Sequence, residues 1–247
     1  MSSIWHTFFF DPVYNILIGC INLVPGGDVG VAIILTTIVV KVVLLPFSLK
    51  AARTQLALRE IEPQLKDVKE RLKDKREEQA REMMDLYKKA GINPFASILL
   101  LFIQIPIIIA LYLAVISGGG IALPQINTAL LYAFIPAPEV VHMLFMGLID
   151  ITTRSLPLAL LAGVTQYIHT NLSLPKQEPR DPNKTPDFKD DFARSMQLQM
   201  RYVMPVIIFI VAYTISAAVA LYFTISNLTA IAQEYIVRRQ KQKLIQE

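Results

Sequence analysis

Four stretches of the chain are apolar over lengths close to the length that a membrane-spanning helix needs. They cover residues 29–49, 94–117, 156–173 and 202–235. A helix that crosses the hydrocarbon core needs about 20 mostly apolar residues, and lipid offers no partner for an open strand edge. Hydrophobic residues make up 53% of the sequence, which is high for a soluble domain. The predicted fold class is therefore an all-α membrane protein.

The distribution of Lys and Arg predicts how the chain crosses the membrane. There are none in residues 1–28, twelve in 50–93, one in 118–155, six in 174–201 and four after residue 235. Because basic residues collect on the cytoplasmic side, the rich segments are predicted to be inside and the poor ones outside. Both ends of the last apolar stretch are then cytoplasmic, so 202–235 must contain two spans that turn near Ser216. The prediction is five spans, with the N-terminus outside and the C-terminus inside.

The segments between the spans have distinct characters. Residues 1–28 place Trp5, Phe8 and Tyr14 in a segment predicted to lie at the membrane interface, and a poorly formed extra span is the alternative. Residues 50–93 are predicted to form a cytoplasmic helical hairpin, because apolar residues recur there at spacings of three and four. Pro63 is expected in a first helical turn and Gly91 at a helix C-terminus. The remaining segments are an external loop, a cytoplasmic loop and a basic cytoplasmic tail, at residues 118–155, 174–201 and 236–247.

Lys41 is the one charged residue in the predicted first span, within TTIVVKVVLLPF. A lysine at the centre of a spanning helix costs about 2.5–3.5 kcal/mol on insertion scales. Snorkelling to the cytoplasmic surface is one explanation, and a water-filled functional cavity is the other, which we favour. Gln104, Gln166 and Asn227 are uncharged polar residues at similar predicted depth, between the midplane and the cytoplasmic side. Each alone is typical of contacts between helices, but together they favour a cavity that opens inward.

Other function classes are disfavoured by missing motifs. Cys20 is the only cysteine, and the three histidines are scattered without carboxylates at metal-ligand spacing, so no metal site is predicted. The sequence has no phosphate-binding loop and no nucleophile elbow, so we expect neither an enzyme nor a cofactor. The basic residues lie between the apolar stretches, so nucleic-acid binding is not expected. The N-terminus lacks the basic region of a signal peptide.

Several motifs, in order, resemble the YidC family of membrane protein insertases. They are DVGVAIILTTIVVKVVLLPFSLK, IEPQLKDVKERLKD, EEQAREMMDLYKKAGINPFAS, LLLFIQIPIIIALY and ALYFTISNL. The resemblance implies a five-span core with an inward-open hydrophilic groove and a mobile cytoplasmic hairpin. It implies that the groove's basic residue, normally arginine, is Lys41, that its glutamine is Gln166 or a neighbour, and that its final-span aromatic is Phe223. Gln104 and Asn227 complete the expected groove.

The resemblance also implies an activity. The protein would move nascent transmembrane segments from the cytoplasm into the bilayer of a bacterial plasma membrane, without ATP hydrolysis. Its implied partners are nascent membrane proteins and lipids, with the ribosome, the signal recognition particle pathway and the Sec translocon as further candidates. Met83 and Met84 on the hairpin are candidate client contacts, or they pack the hairpin itself. A small transporter or proton relay that uses Lys41, and a purely structural assembly factor, are the competing functions.

Overall fold

The computed structural model describes residues 3–91, 95–174, 195–196 and 198–246, without the side chains of residues 3, 59, 95–101 and 240–246. Its main helices are α1 Asp11–Leu23, α2 Val29–Val43, α3 Leu45–Arg71, α4 Arg76–Lys89, α5 Phe95–Ile116, α6 Leu156–Ser173, α7 Met204–Ile215 and α8 Ala217–Gln246. Two short strands, β1 Leu144–Phe145 and β2 Ile149–Asp150, pair as an antiparallel hairpin. Asn93-Pro94, predicted to start the second span, and most of the predicted cytoplasmic loop lie outside the described residues.

Within the described ranges, no single helix is both long and apolar enough to cross a membrane. The segments Val29–Val43 and Leu45–Leu58 reach that length and composition only as a bent pair.

The predicted first span, residues 29–49, is not one continuous helix. α2 ends at Val43, Leu44 forms a turn, and α3 begins at Leu45 with Pro46 in its first turn. A proline has no backbone N–H and its ring clashes with the preceding turn, so it fits a helix start and interrupts a helix interior. Pro46 therefore accounts for the break. The break cannot be predicted from the hydropathy of residues 29–49, because this stretch is apolar on both sides of it.

The chain divides into two compact units. The first comprises residues 1–43 and 105–232, and the second comprises residues 44–104 and 233–247. In the second unit, α3 and α4 form the predicted helical hairpin. Arg71 pairs with Glu82 across it, and the Gln79 amide donates to the Lys69 carbonyl at 3.0 Å.

Pro63 does not start a helix, so this prediction is wrong. It lies inside α3, which continues to Arg71. Leu65 and Val68, from the predicted apolar stripe, are buried after it. Burial of this stripe on one side of the helix helps to offset the backbone hydrogen bond that a proline removes.

In the first unit, the start of α8 is enclosed. Every residue from Ala217 to Tyr222 is buried, so this segment is surrounded by other parts of the chain. α6 and α7 pack closely at Gly163, where a Cβ atom would come within 3.1 Å of the Phe209 Cβ. A small residue at this point lets the two helix backbones approach each other, as is common between helices in membranes.

The N-terminal helix α1 is tied to the loop predicted to be external. The buried Asn15 amide donates to the Leu130 carbonyl at 2.8 Å, and its oxygen accepts the Tyr132 N–H at 2.7 Å. The Tyr14 hydroxyl accepts the Asn127 N–H at 2.9 Å. These bonds join residues more than a hundred positions apart, and α1 also packs against α2. We refer to α1 together with residues 118–155 as the outer cap.

The outer cap also satisfies backbone groups at two helix starts. The Asp28 carboxylate accepts the Val31 N–H at 3.0 Å with one oxygen and the Met146 N–H at 2.7 Å with the other. At the start of α8, the Ala217 and Ala218 N–H groups donate to loop carbonyls at 2.7 and 2.9 Å. The first N–H groups of a helix have no partner within the helix, so these contacts remove a cost that burial would otherwise impose.

We expect Asp28→Ala to lower the unfolding midpoint of the detergent-solubilised protein. It removes both an N-cap, typically worth about 1 kcal/mol, and the anchor of the β1–β2 turn. The measurement is thermal unfolding, with Glu139→Ala as a control that removes an exposed carboxylate from the same cap. Equal midpoints for the two variants would show that the Asp28 contacts contribute nothing measurable.

Candidate functional site

Lys41 lies near the end of α2, at the edge of the buried face of that helix. Thr37, one turn earlier, and Val40 are buried, whereas Val42 and Val43 are exposed. The lysine itself is partly buried. Its side chain therefore leaves the helix between the packed interior of the first unit and the exposed apolar surface.

Asn227 connects α8 to α6. Its buried side-chain amide lies 3.4 Å from the Ala162 carbonyl and 3.3 Å from the Thr165 hydroxyl oxygen. These are hydrogen bonds at the long end of the usual range, between helices far apart in sequence. Asn227 thus brings a polar group of α8 directly onto the helix that carries Gln166.

Gln166 is engaged within its own helix. Its amide donates to the Thr170 hydroxyl oxygen at 3.1 Å, and that hydroxyl donates to the Gln166 backbone carbonyl at 2.8 Å. Gln166 is partly buried, whereas the adjacent Tyr167 is exposed. Thr165, Gln166 and Thr170 therefore form a short polar strip along α6, and Asn227 touches its first member.

Phe223 lies on α8, one turn before Asn227, and is partly buried. Its ring packs edge-on against that of Tyr222, with 5.8 Å between centroids. Tyr222 itself is almost fully buried and lines a crevice with Leu111 and Tyr112 of α5. The two aromatic residues thus lie on different sides of α8, with Phe223 the more accessible.

The other predicted residues belong to the second unit. Gln104 lies on α5 and is partly buried. Met83 and Met84 lie on α4, a helix that buries none of its side chains, and Met84 is 45% exposed. The structure therefore leaves both methionines at the surface of the hairpin.

Sequence reasoning overlooked two contributors to this region. Thr165 holds Asn227, and the outer cap covers the start of α8. A threonine in an apolar helix usually donates its hydroxyl to a backbone carbonyl of its own helix, as Thr165 does to the Leu161 carbonyl. The sequence around Thr165 therefore gave no indication of its contact with Asn227. The only indication in the sequence that Thr165 belongs to this region was its position directly before Gln166.

Comparison with known proteins identifies the family. A model of the 60Kd inner membrane protein family matches residues 21–244. The chain belongs to this family. It is thus a member of the YidC family, which is integral to the bacterial inner membrane.

Individual relatives agree with this assignment. A membrane protein insertase YidC of Clostridium tetani is 31% identical over 89% of this chain and 86% of the relative. One of Oceanobacillus iheyensis is 28% identical over 96% of this chain and 85% of the relative. One of Shewanella loihica is 33% identical over 85% of this chain but only 33% of its own length. The chain therefore matches nearly the whole of some YidC proteins and one third of a longer one.

A double-mutant cycle on Asn227→Leu and Thr165→Val tests the contact between α6 and α8. We expect a coupling free energy of about 0.6 kcal/mol, and up to about 1.7 kcal/mol, the range typical of interhelical hydrogen bonds in membranes. The measurement is the free energy of unfolding in mixed micelles. Thr224→Val is the matched control, because the Thr224 hydroxyl donates within its own helix, to the Ala220 carbonyl at 2.8 Å, so it should show no coupling to Thr165→Val. Additive effects of Asn227→Leu and Thr165→Val would contradict a direct contact.

Proposed function

We propose that this protein inserts nascent transmembrane segments into the bilayer. The observation that carries the proposal is the family match over residues 21–244, together with relatives named membrane protein insertase that align along most of this chain. The clients are nascent membrane proteins, and the ribosome, the signal recognition particle pathway and the Sec translocon are proposed as cooperating partners.

The proposed topology has five spans, with the N-terminus outside and the C-terminus inside. Its supports are the alternation of Lys- and Arg-rich segments and the helix break at Ser216, where α7 ends and α8 begins. The helices α2, α5, α6 and α7 each expose several large apolar side chains. Such side chains suit a surface that faces lipid instead of water.

The proposed site is a hydrophilic groove that opens toward the cytoplasm and contains Lys41, Gln104, Gln166, Phe223 and Asn227. The contact of Asn227 with Thr165, next to Gln166, supports a polar strip shared by α6 and α8. The tie between the outer cap and the start of α8 supports closure on the external side. Lysine keeps the positive charge that the family's arginine supplies but lacks its planar fork of donors.

In this mechanism a client's acidic N-terminal tail is attracted to the Lys41 ammonium group while its apolar segment moves along the exposed helices into lipid. Transfer of the apolar segment contributes about 0.8 kcal/mol per buried CH₂. The membrane potential contributes about 2.3 kcal/mol per charge and 100 mV to the outward movement of an acidic tail. These terms suffice without ATP hydrolysis. No phosphate-binding loop occurs in the sequence.

The hairpin is the proposed first contact for clients. Met83 and Met84 lie on a helix without buried side chains, so packing within the hairpin does not enclose them. Methionine is flexible and polarisable, and it adapts to apolar segments of varied shape. This favours client contact over a purely internal packing role.

Insertion into proteoliposomes of a one-span client with an acidic tail tests the role of Lys41. We expect Lys41→Arg to insert this client at close to the wild-type rate and Lys41→Ala to slow it by about tenfold. A hydrogen bond to a charged group contributes roughly 1.5–3 kcal/mol, and each 1.4 kcal/mol is tenfold in rate. A client with an uncharged tail should be affected much less.

Lys50→Ala is the matched control, because it removes an exposed lysine of the same region. It should leave insertion of both clients unchanged. Equal insertion of the acidic client by wild type, Lys41→Arg and Lys41→Ala would contradict the charged-groove mechanism. Solute or proton flux that disappears in Lys41→Ala while insertion is retained would favour the transporter instead.

A further inference from the structure

The turn between β1 and β2 presents an unusually apolar tip. Met146 is 71% exposed and Leu148 is 83% exposed, and Leu144, the first residue of β1, is 50% exposed. Turns between strands are normally polar and rich in Gly, Asn and Asp. Only Gly147 in this turn follows that pattern. The apolar composition of the turn therefore favours contact with an apolar partner over exposure to water.

The backbone at the tip is held in a conformation that its side chain disfavours. Met146 has a φ of 52°, and it is the only residue other than glycine with a positive φ in the described chain. The left-handed region suits glycine, asparagine or aspartate and is uncommon for a long side chain. Strain of this kind that persists at an exposed position suggests that the Met146 side chain is placed there for contact.

The tip is fixed to the start of α2. The Met146 N–H donates to the Asp28 carboxylate at 2.7 Å, and the same carboxylate caps α2. Phe145 lies against the first turn of α2, so closely that a Cβ atom on Gly30 would lie 2.4 Å from its ring. These two contacts position the tip beside the start of α2.

A further exposed apolar residue lies on the segment that leads into α2. Leu23 ends α1, five residues before Asp28, and is 78% exposed. The nearby carboxylates do not make the tip polar, because Asp28 accepts two backbone N–H groups and Asp150 accepts the Thr152 N–H and hydroxyl. Met146 and Leu148 form an exposed apolar tip, and Leu23 is exposed on the segment that leads into α2; we call these three residues the outer patch.

We propose that the outer patch is a lipid-binding surface that inserts into the external leaflet of the membrane and holds the outer end of α2 at the interface. The chain belongs to a family that is integral to the inner membrane, so lipid is the apolar phase available to an exposed apolar tip beside the start of α2. The inference rests on the proposed topology, in which the external loop is outside, but not on insertase activity.

Tryptophan fluorescence tests the proposal directly. Trp5 is the only tryptophan, so Trp5→Phe provides a silent background in which Leu148→Trp reports on the tip. The full chain is reconstituted in phosphatidylcholine–phosphatidylglycerol vesicles whose lipids carry bromine on the upper part of the acyl chain. We expect blue-shifted emission and several-fold stronger quenching by brominated lipid than in the control variant Glu77→Trp, which places the probe at the exposed start of α4. Iodide in the aqueous phase should quench the control more strongly than the tip.

Three outcomes would overturn the inference. Emission of Leu148→Trp at the wavelength found in water, with quenching by iodide and not by brominated lipid, would show a solvated tip. Blue-shifted emission in lipid-free micelles that depends on protein concentration would identify a second copy of the chain as the partner. Blue-shifted emission without quenching by brominated lipid would show burial within the protein. Met146→Trp supplies a second probe if Leu148→Trp lowers the unfolding midpoint.

These readouts are independent of insertion. Loss of insertase activity with a tip quenched by lipid would contradict the proposed function and leave the outer patch as a lipid-binding surface. Full insertase activity with a solvated tip would support the proposed function and contradict the proposal that the outer patch binds lipid.

Discussion

A charged ammonium group in an apolar helix is the feature that constrains the rest of this molecule. Transfer of a lysine to the centre of a bilayer costs about 2.5–3.5 kcal/mol on insertion scales, which is a large part of a protein's net stability. Lys41 lies where α2 passes from its packed face to its exposed face, with Thr37 buried one turn earlier. The aqueous groove that we propose at this point would lower the cost of keeping the charge and would make the same charge available to a client.

In the proposed topology, the outer cap would close the external side of this groove. Asn15, Asp28 and the first N–H groups of α8 make hydrogen bonds with residues 118–155. These contacts join the starts of α2 and α8 on the side that the charge pattern assigns to the exterior. A groove that opens on one side requires the other side to be closed, and closure by backbone hydrogen bonds does not depend on apolar packing alone.

Local patterns predicted the parts of the structure that depend on local physics. The apolar stretches and the three-four spacing indicated the helices and the hairpin, and charge counting required a turn near Ser216, where the structure separates α7 from α8. The break at Leu44 was missed because hydropathy does not register Pro46, and Pro63 was misplaced because tertiary burial lets α3 continue through it. The outer cap and the contact between Asn227 and Thr165 join distant residues, so no local pattern indicated them.

Accessibility of position 41 to an aqueous thiol reagent tests the inward-open groove most directly. In a Cys20→Ser background, Lys41→Cys and the neighbouring exposed position Val42→Cys can be compared with a membrane-impermeant maleimide added to either side of oriented vesicles. A thiol reacts as its thiolate, which requires water, so labelling reports a wet environment. The groove predicts labelling of Lys41→Cys from the cytoplasmic side only, with Val42→Cys unreactive in lipid. Labelling of Lys41→Cys from the outside, or no faster than that of Val42→Cys, would contradict it.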